Sequence, residues 1–206
     1  MLERAKAVTQ QDAYTYVEYA RFADDLMVLI DAEHRSRRGL VEAVERRLRE
    51  ELAKLGVEIN EEKSRKANLE QGTSFGFLGF DFRRVRTRQG RWRAHVTPKL
   101  KKRTALMRTL KDVFRRYRSQ PVARVVKLIN PMLRGWVNYF AVGHSSRCFQ
   151  WVKRWVELKI RRHLMRARKR KGFGWTRWST QWLYANLGLF NDYRVRRALP
   201  KVSPAG

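Results

Sequence analysis

Two adjacent carboxylates, Asp24 and Asp25, stand between two strand-like runs, Tyr14-Thr15-Tyr16-Val17-Glu18-Tyr19-Ala20 before them and Leu26-Met27-Val28-Leu29-Ile30 after them. Aspartate pairs are poor strand formers, so the pair is expected in the tight turn of a β-hairpin, with both carboxylates projecting from one rigid point. Carboxylates held that way suit Mg2+, a hard cation that takes oxygen ligands and keeps water or phosphate in its remaining positions. Two such ions about 3.5–4 Å apart can clamp the attacking and leaving oxygens of a phosphoryl transfer. The same pair also reads as an ordinary solvated turn. Leu26 to Ile30 reads as a buried strand, and that setting, within a very basic chain, favours the metal reading. Lys63 lies just past a further short strand, Val57-Glu58-Ile59-Asn60. It is placed either to reach a phosphate or to stand as a plain surface lysine.

The 206 residues carry 47 Lys+Arg against 19 Asp+Glu, a net charge of +28, with 43% hydrophobic residues. That much apolar content supports a folded core. The excess of positive charge repels itself unless a polyanion is near, which makes nucleic acid the expected partner. No apolar run approaches the roughly 20 residues needed to span a membrane, and the N-terminus shows no signal-peptide pattern, so no membrane partner and a cytoplasmic location are expected. The single Cys148 excludes an internal disulfide and a Cys-rich zinc site; it reads as a small buried apolar residue.

The elements that must position these groups fall into two parts. Met1 to Gln11 reads as the end of a helix entering the first strand. After a polar loop, His34-Arg35-Ser36-Arg37-Arg38, the apolar positions Leu40, Val41, Val44, Leu48, Leu52 and Leu55 recur at helical spacing, with Gly56 as the residue past the helix end. Phe75 to Phe82 and Trp92 to Val96 form a second hairpin around Gln89-Gly90. The glycines Gly76 and Gly79 suggest a bend or a close backbone approach. Thr97-Pro98 reads as N-cap and first residue of a helix, with Leu100, Met107, Leu110, Phe114 and Tyr117 on one stripe. Pro121 opens a short helix ending near Asn130, and Asn130-Pro131 opens another from Met132 to about Ala141. Ser145-Ser146 precedes a longer helix with Phe149, Val152, Val156 and Ile160 on one face. The fold class is therefore α+β: strands with one helix over residues 1–96, then an all-helical part over 97–206. The helical part joins charge to aromatics. Residues 153–171 hold ten Lys or Arg and one acid, Glu157, and Trp136, Trp151, Trp155, Trp175, Trp178 and Trp182 all follow residue 135. Basic side chains neutralise phosphates, and aromatic or Arg planes can stack on unpaired bases; most of these Trp are expected in the core. His34, His95, His144 and His163 are scattered and read as structural or solvated.

Three runs carry a family resemblance. Arg21-Phe22-Ala23-Asp24-Asp25 resembles the aromatic-Ala-Asp-Asp motif of group II intron reverse transcriptases. Phe77-Leu78-Gly79-Phe80 resembles their Phe-Leu-Gly-Phe motif. Asn130-Pro131-Met132-Leu133-Arg134-Gly135-Trp136-Val137-Asn138-Tyr139-Phe140 is similar to the Asn-Pro-x-Leu-Arg-Gly-Trp-x-Asn-Tyr signature of their maturase, or X, domain. The resemblance implies a C-terminal half of a reverse-transcriptase palm over 1–96 and a thumb with maturase domain over 97–206. It places Asp24 and Asp25 on the Mg2+-binding pair of an RNA-directed DNA polymerase and Lys63 near the leaving pyrophosphate. Phe22, Phe77, Leu78, Gly79 and Phe80 fall on primer and template contacts; Phe22 keeps the ring of the commoner Tyr and loses its hydroxyl. Intron RNA contacts are expected from Arg134, Trp136, Asn138, Tyr139, Lys153, Arg154, Arg161, Arg162, Arg166, Arg168, Lys169, Arg170 and Lys171.

The family pattern also includes fingers and earlier palm strands with a third metal-binding aspartate, which this sequence does not contain ahead of the hairpin. The expectation is a chain that does not polymerise alone and that a separate N-terminal half would complement. Leu26 to Ile30 would then lack a full set of sheet neighbours. No Cys pairs or His-rich site after residue 186 suggest the endonuclease module of some relatives. Two functions stay open: part of a reverse transcriptase acting on an RNA template and DNA primer, or a basic RNA-binding maturase remnant that acts on group II intron RNA without catalysis. A decayed product with no activity is a third reading.

Overall fold

The computed structural model describes residues 2–8, 10–11, 14–31 and 39–196; the expected loop at 34–38 lies outside the described residues. The architecture is α+β, with three small antiparallel sheets and six helices among those residues. The chain divides into two compact units, Met1–Ala67 and Asn68–Gly206. The strands after residue 73 therefore group with the helices, whereas sequence patterning puts the boundary between residues 96 and 97.

In the first unit, α1 (Leu2–Val8) is followed by β1 (Gln10–Gln11), β2 (Tyr14–Thr15), β3 (Val17–Phe22), β4 (Asp25–Ile30) and α2 (Leu40–Lys54). Strands β3 and β4 form a hairpin in which Phe22 faces Asp25 and Val17 faces Ile30. Helix α2 ends as its sequence indicates, with Gly56 at φ 65° just beyond it, a backbone region open to glycine. Two expectations are corrected. Strand β4 is not buried: it pairs only with β3 among the described residues, and Leu26 and Leu29 stay 37% and 41% exposed. Val57–Asn60 is not a strand. Its Val57 N–H returns to Leu52 O of α2 (3.0 Å), and the Asn60 side chain closes a turn by accepting from the Lys63 N–H (3.1 Å). Among the described residues of this unit, the buried apolar side chains are Val17 and Val44.

The second unit opens with the three-stranded sheet β5 (Ser74–Phe77), β6 (Phe80–Arg86) and β7 (Trp92–Pro98). Phe75 to Phe82, expected as one strand, is broken at Leu78-Gly79. Both residues have positive φ, 47° and 80°, which is the two-residue hairpin turn whose twist matches paired strands. Strand β7 then runs two residues further than Thr97-Pro98 suggests. Pro98 pairs opposite Phe80, and α3 (Leu100–Arg116) starts after Lys99, whose N–H is held by Gly79 O at 2.9 Å.

Helix α4 (Val122–Tyr139) is continuous through Pro131, where two helices were expected. A proline inside a helix loses one backbone hydrogen bond and costs about 3 kcal/mol. Fully buried Ile129 and Leu133 flank it. Asn130 does not cap a new helix. Its Nδ2 donates to Gly188 O (2.8 Å) and its Oδ1 accepts from the Phe190 N–H (2.9 Å). Tertiary bonding thus takes the side chain that local pattern assigns to a cap. Asn130→Ala is expected to destabilise the chain by about 1–3 kcal/mol, two hydrogen bonds at roughly 0.5–1.5 each, as measured by urea unfolding. Helix α5 (Ser146–Ala167) buries Phe149, Val152, Val156 and Ile160 completely, the stripe its sequence indicates. Helix α6 (Thr180–Ala185) is capped by Ser179, whose Oγ accepts from the Trp182 N–H at 3.1 Å.

The link between α4 and α5 is pinned to β7. The His144 N–H donates to Val96 O (2.7 Å), and His144 Nδ1 accepts from the Val96 N–H (3.2 Å). His95 stacks on His144 at 4.5 Å. Burial holds the His95 imidazole below its ordinary value, helped by the charges of His144, Arg83, Arg93 and Arg147. The unfolded chain therefore binds this proton first as pH falls. The contribution is complete above about pH 6.5, the ordinary histidine value, and is lost as pH falls from there through the folded pKa. We expect Tm to decline with acidification over that window and His95→Gln to remove part of the decline. A slope unchanged in the variant would contradict this.

Candidate nucleic-acid interface

Three sets of residues were expected to carry chemistry, and the structure gives each a setting. The carboxylate pair lies one residue off the expected turn: Ala23 and Asp24 make the two-residue turn, and Asp25 is already the first residue of β4, paired opposite Phe22. Both aspartates are exposed. Ala23 sits at φ 50°, a left-handed conformation that costs a non-glycine residue about 1–2 kcal/mol, and Arg21 Nε donates to Ala23 O at 3.1 Å. Phe22 beside the pair is 63% exposed. No group of three or more His, Cys, Asp or Glu side chains suited to a metal gathers among the described residues. Two neighbouring carboxylates still meet the small protein share of a Mg2+ shell that is completed by water and phosphate. Lys63 stands in an exposed turn, and among the described residues no hydrogen bond or ion pair joins it to Asp24 or Asp25.

The second and third runs are physically joined. Phe77-Leu78-Gly79-Phe80 forms the β5–β6 turn, and Tyr139 from the end of α4 donates its hydroxyl to Leu78 O at 2.9 Å. The Phe80 ring packs on Tyr139 (6.1 Å) and edge-on to Phe140 (5.0 Å). Within the 130–140 run, helical phase separates two jobs. Leu133, Val137 and Phe140 are buried, while Arg134 and Asn138 are exposed. Trp136 is half-buried against Phe140 and Phe149, and its buried Nε1 has no hydrogen-bond partner. Trp136 therefore packs where an RNA contact was expected.

The basic face belongs to α5 and the segment after it. Arg154, Arg162, Arg166, Arg168, Lys169, Arg170 and Lys171 are exposed, and none forms an ion pair among the described residues. Lys153 lies over the Tyr184 ring at 5.2 Å and Arg162 over Phe173 at 4.7 Å, geometries of cation–π attraction. Arg161 is a correction: it is fully buried and unavailable to a phosphate. Its Nε donates to Trp178 O (3.0 Å) and its Nη2 to Thr180 Oγ1 (3.0 Å), with the guanidinium 4.4 Å from the Trp175 ring. Glu157, its partner one helical turn away at 3.8 Å, also accepts from the Tyr184 hydroxyl at 2.5 Å. Of the six late tryptophans, Trp178 is buried, Trp136, Trp155 and Trp182 pack against the core, and Trp151 and Trp175 are 45% and 53% exposed.

Two residues of this face are not marked by its sequence motifs. Burial holds the Lys159 ammonium below its ordinary value, and the charges of Arg162, Lys111 and Arg166 add to it. Lys111 of α3 thus joins three cations of α5 in one self-repelling cluster. The available signal is the i, i+3, i+7 spacing of Lys159, Arg162 and Arg166; Lys111 comes from another helix, and no local pattern marks it.

The described residues combine a mixed fold with a cationic helix face that a polyanion would neutralise. Residues 103–182 match the family model for the group II intron maturase-specific domain. The matched span includes the run at 130–140. No curated protein matches the chain. No helix among the described residues is long and apolar enough to cross a membrane.

Proposed function

We propose that the chain is the C-terminal part of a group II intron-encoded reverse transcriptase and maturase, and that it binds intron RNA and assists its splicing. The observation that carries this reading is the unpaired cationic face of α5, with Lys111, inside the matched region. Such a face is relieved of self-repulsion by a phosphate backbone, which releases condensed counterions on binding. The exposed Trp151 and Trp175 rings offer stacking surfaces for unpaired bases.

The polymerase part of the reading rests on the Asp24-Asp25 turn and the Phe-Leu-Gly-Phe resemblance. Asp24 and Asp25 would hold Mg2+, which supplies charge stabilisation for nucleotidyl transfer from a DNA primer on an RNA template. The turn at Leu78-Gly79, braced by Tyr139, would support the primer end. Two carboxylates on a two-stranded hairpin make a sparse site, so residues 1–206 are expected to bind RNA without polymerising on their own, and synthesis would require further polymerase elements. The second reading, an RNA-binding maturase remnant, is favoured by the exposure of the hairpin's apolar side chains.

Asp24→Asn with Asp25→Asn separates the two. RNA binding is expected to be unchanged, and primer extension with Mg2+ is expected from neither parent nor variant. Robust synthesis by the parent chain alone would overturn the claim that it needs a complement. Extension restored by an added fragment that carries further polymerase elements, and abolished by the double substitution, would decide for the enzymatic reading.

A further inference from the structure

The polar members of the 130–140 run do not simply face solvent. Asn130, Arg134 and Asn138 recur every four residues along α4 and form one wall of a cavity of about 370 Å3, completed by residues 188–192 and Arg196. That size lies at the small end of the roughly 300–1,000 Å3 range of ligand sites. The cavity is built by its own hydrogen bonds. Asn130 fixes the far wall through Gly188 O and the Phe190 N–H. Asn138 Oδ1 accepts from Arg196 Nη2 at 3.1 Å, and the Arg196 N–H is anchored on Ala141 O at 2.7 Å. Asp192, the acid of the lining, is paired with Arg194 at 2.8 Å. Arg134 has neither a hydrogen-bond nor an ion-pair partner among the described residues. Its guanidinium, the remaining N–H groups of Arg196 and the Asn138 amide are donors awaiting an acceptor.

We propose that this cavity holds one unpaired nucleotide of a structured RNA, its phosphate on Arg134 and Arg196 and its base edge against the Asn138 amide. This deepens the RNA-binding reading and rests on it. The phosphate assignment follows from two guanidinium groups, whose planar forks match phosphate oxygens. The unpaired state follows from the concave shape, which is open to solvent on one side. A duplex presents its backbone on a convex surface, whereas a nucleotide turned out of a loop can enter a cavity and show its edge to amide groups.

The test uses the full chain with two RNA probes, a stem-loop with unpaired loop nucleotides and the same stem closed as a blunt duplex. Arg134→Gln is expected to weaken stem-loop binding about tenfold or more, the loss expected for hydrogen bonds to a charged group, and duplex binding far less. Arg134→Lys, which keeps the charge and loses the fork, is expected to recover little of that loss. Arg118→Gln, a charge-matched change at an exposed position outside the cavity, is expected to weaken both probes alike. Equal loss on both probes with Arg134→Gln, or full recovery with Arg134→Lys, overturns the cavity assignment and leaves RNA binding standing. Binding of neither probe by the parent chain overturns the RNA-binding reading itself. Unchanged Tm in the Arg134 variants shows that the fold is intact.

Discussion

Substituting glutamine for Lys111, Lys159, Arg162 and Arg166 is expected to flatten the dependence of log affinity on log salt by about 3 and to weaken RNA binding roughly a thousandfold near 0.1 M salt. Each neutralised phosphate contributes about 0.7–0.9 to that slope, so leaving four phosphates without their cations gives both figures. The cluster is the place to test because burial, with the charges of Arg162, Lys111 and Arg166 added to it, holds the Lys159 ammonium below its ordinary value. Removing them relieves like-charge crowding, so Tm is expected to hold or rise while affinity collapses. That opposition separates a binding surface from a structural one. Fluorescence anisotropy across a salt series, with a thermal melt of each variant, reads both. A parallel fall in Tm and affinity would assign the cluster to folding.

Arg161→Ala is expected to have the opposite signature, a stability loss of about 3–5 kcal/mol, the usual cost of breaking a buried ion pair from one side. The guanidinium ties α5 to the segment at 175–180 through Trp178 O and Thr180 Oγ1, and both acceptors would be left without their partner. The Glu157 carboxylate would keep only the Tyr184 hydroxyl. Against a total stability of about 5–15 kcal/mol for an ordinary domain, the loss removes a large share of the stability. RNA binding would fall only in proportion to the unfolded fraction. Urea unfolding followed by tryptophan fluorescence measures it, and a loss below about 1 kcal/mol would contradict the assigned role. Changing Glu157 to Gln together with Arg161→Met is expected to recover much of the loss, because exchanging both charges for neutral groups leaves no uncompensated buried ion.

These two predictions show where the sequence is legible and where it is not. The 153–171 run announces a cationic helix, but charge alone does not say that Arg161 turns inward. The clue is the single acid of the run, Glu157, one turn before it. The α5 stripe is legible because Phe149, Val152, Val156 and Ile160 share one helical face. The break expected at Asn130-Pro131 follows sound local signals, and it is overruled by bonds to Gly188 and Phe190, nearly sixty residues on. The hairpin is legible from composition, but its turn falls at Ala23-Asp24, one residue before the aspartate pair. The openness of β4 is not legible, since an apolar run reports what a strand can bury and not whether a neighbour covers it. The bond from Tyr139 to Leu78 O joins two motifs that the sequence shows only as separate words.

We propose that residues 103–182 read a particular RNA with a folded, partly pre-built surface. The most direct measurement is the affinity of the purified chain for a structured group II intron RNA and for an unrelated RNA of equal length, across a salt series. We predict a preference for the intron RNA that survives moderate salt. Equal affinities that vanish together as salt rises would contradict the claim, leaving attraction between a polycation and any phosphate backbone.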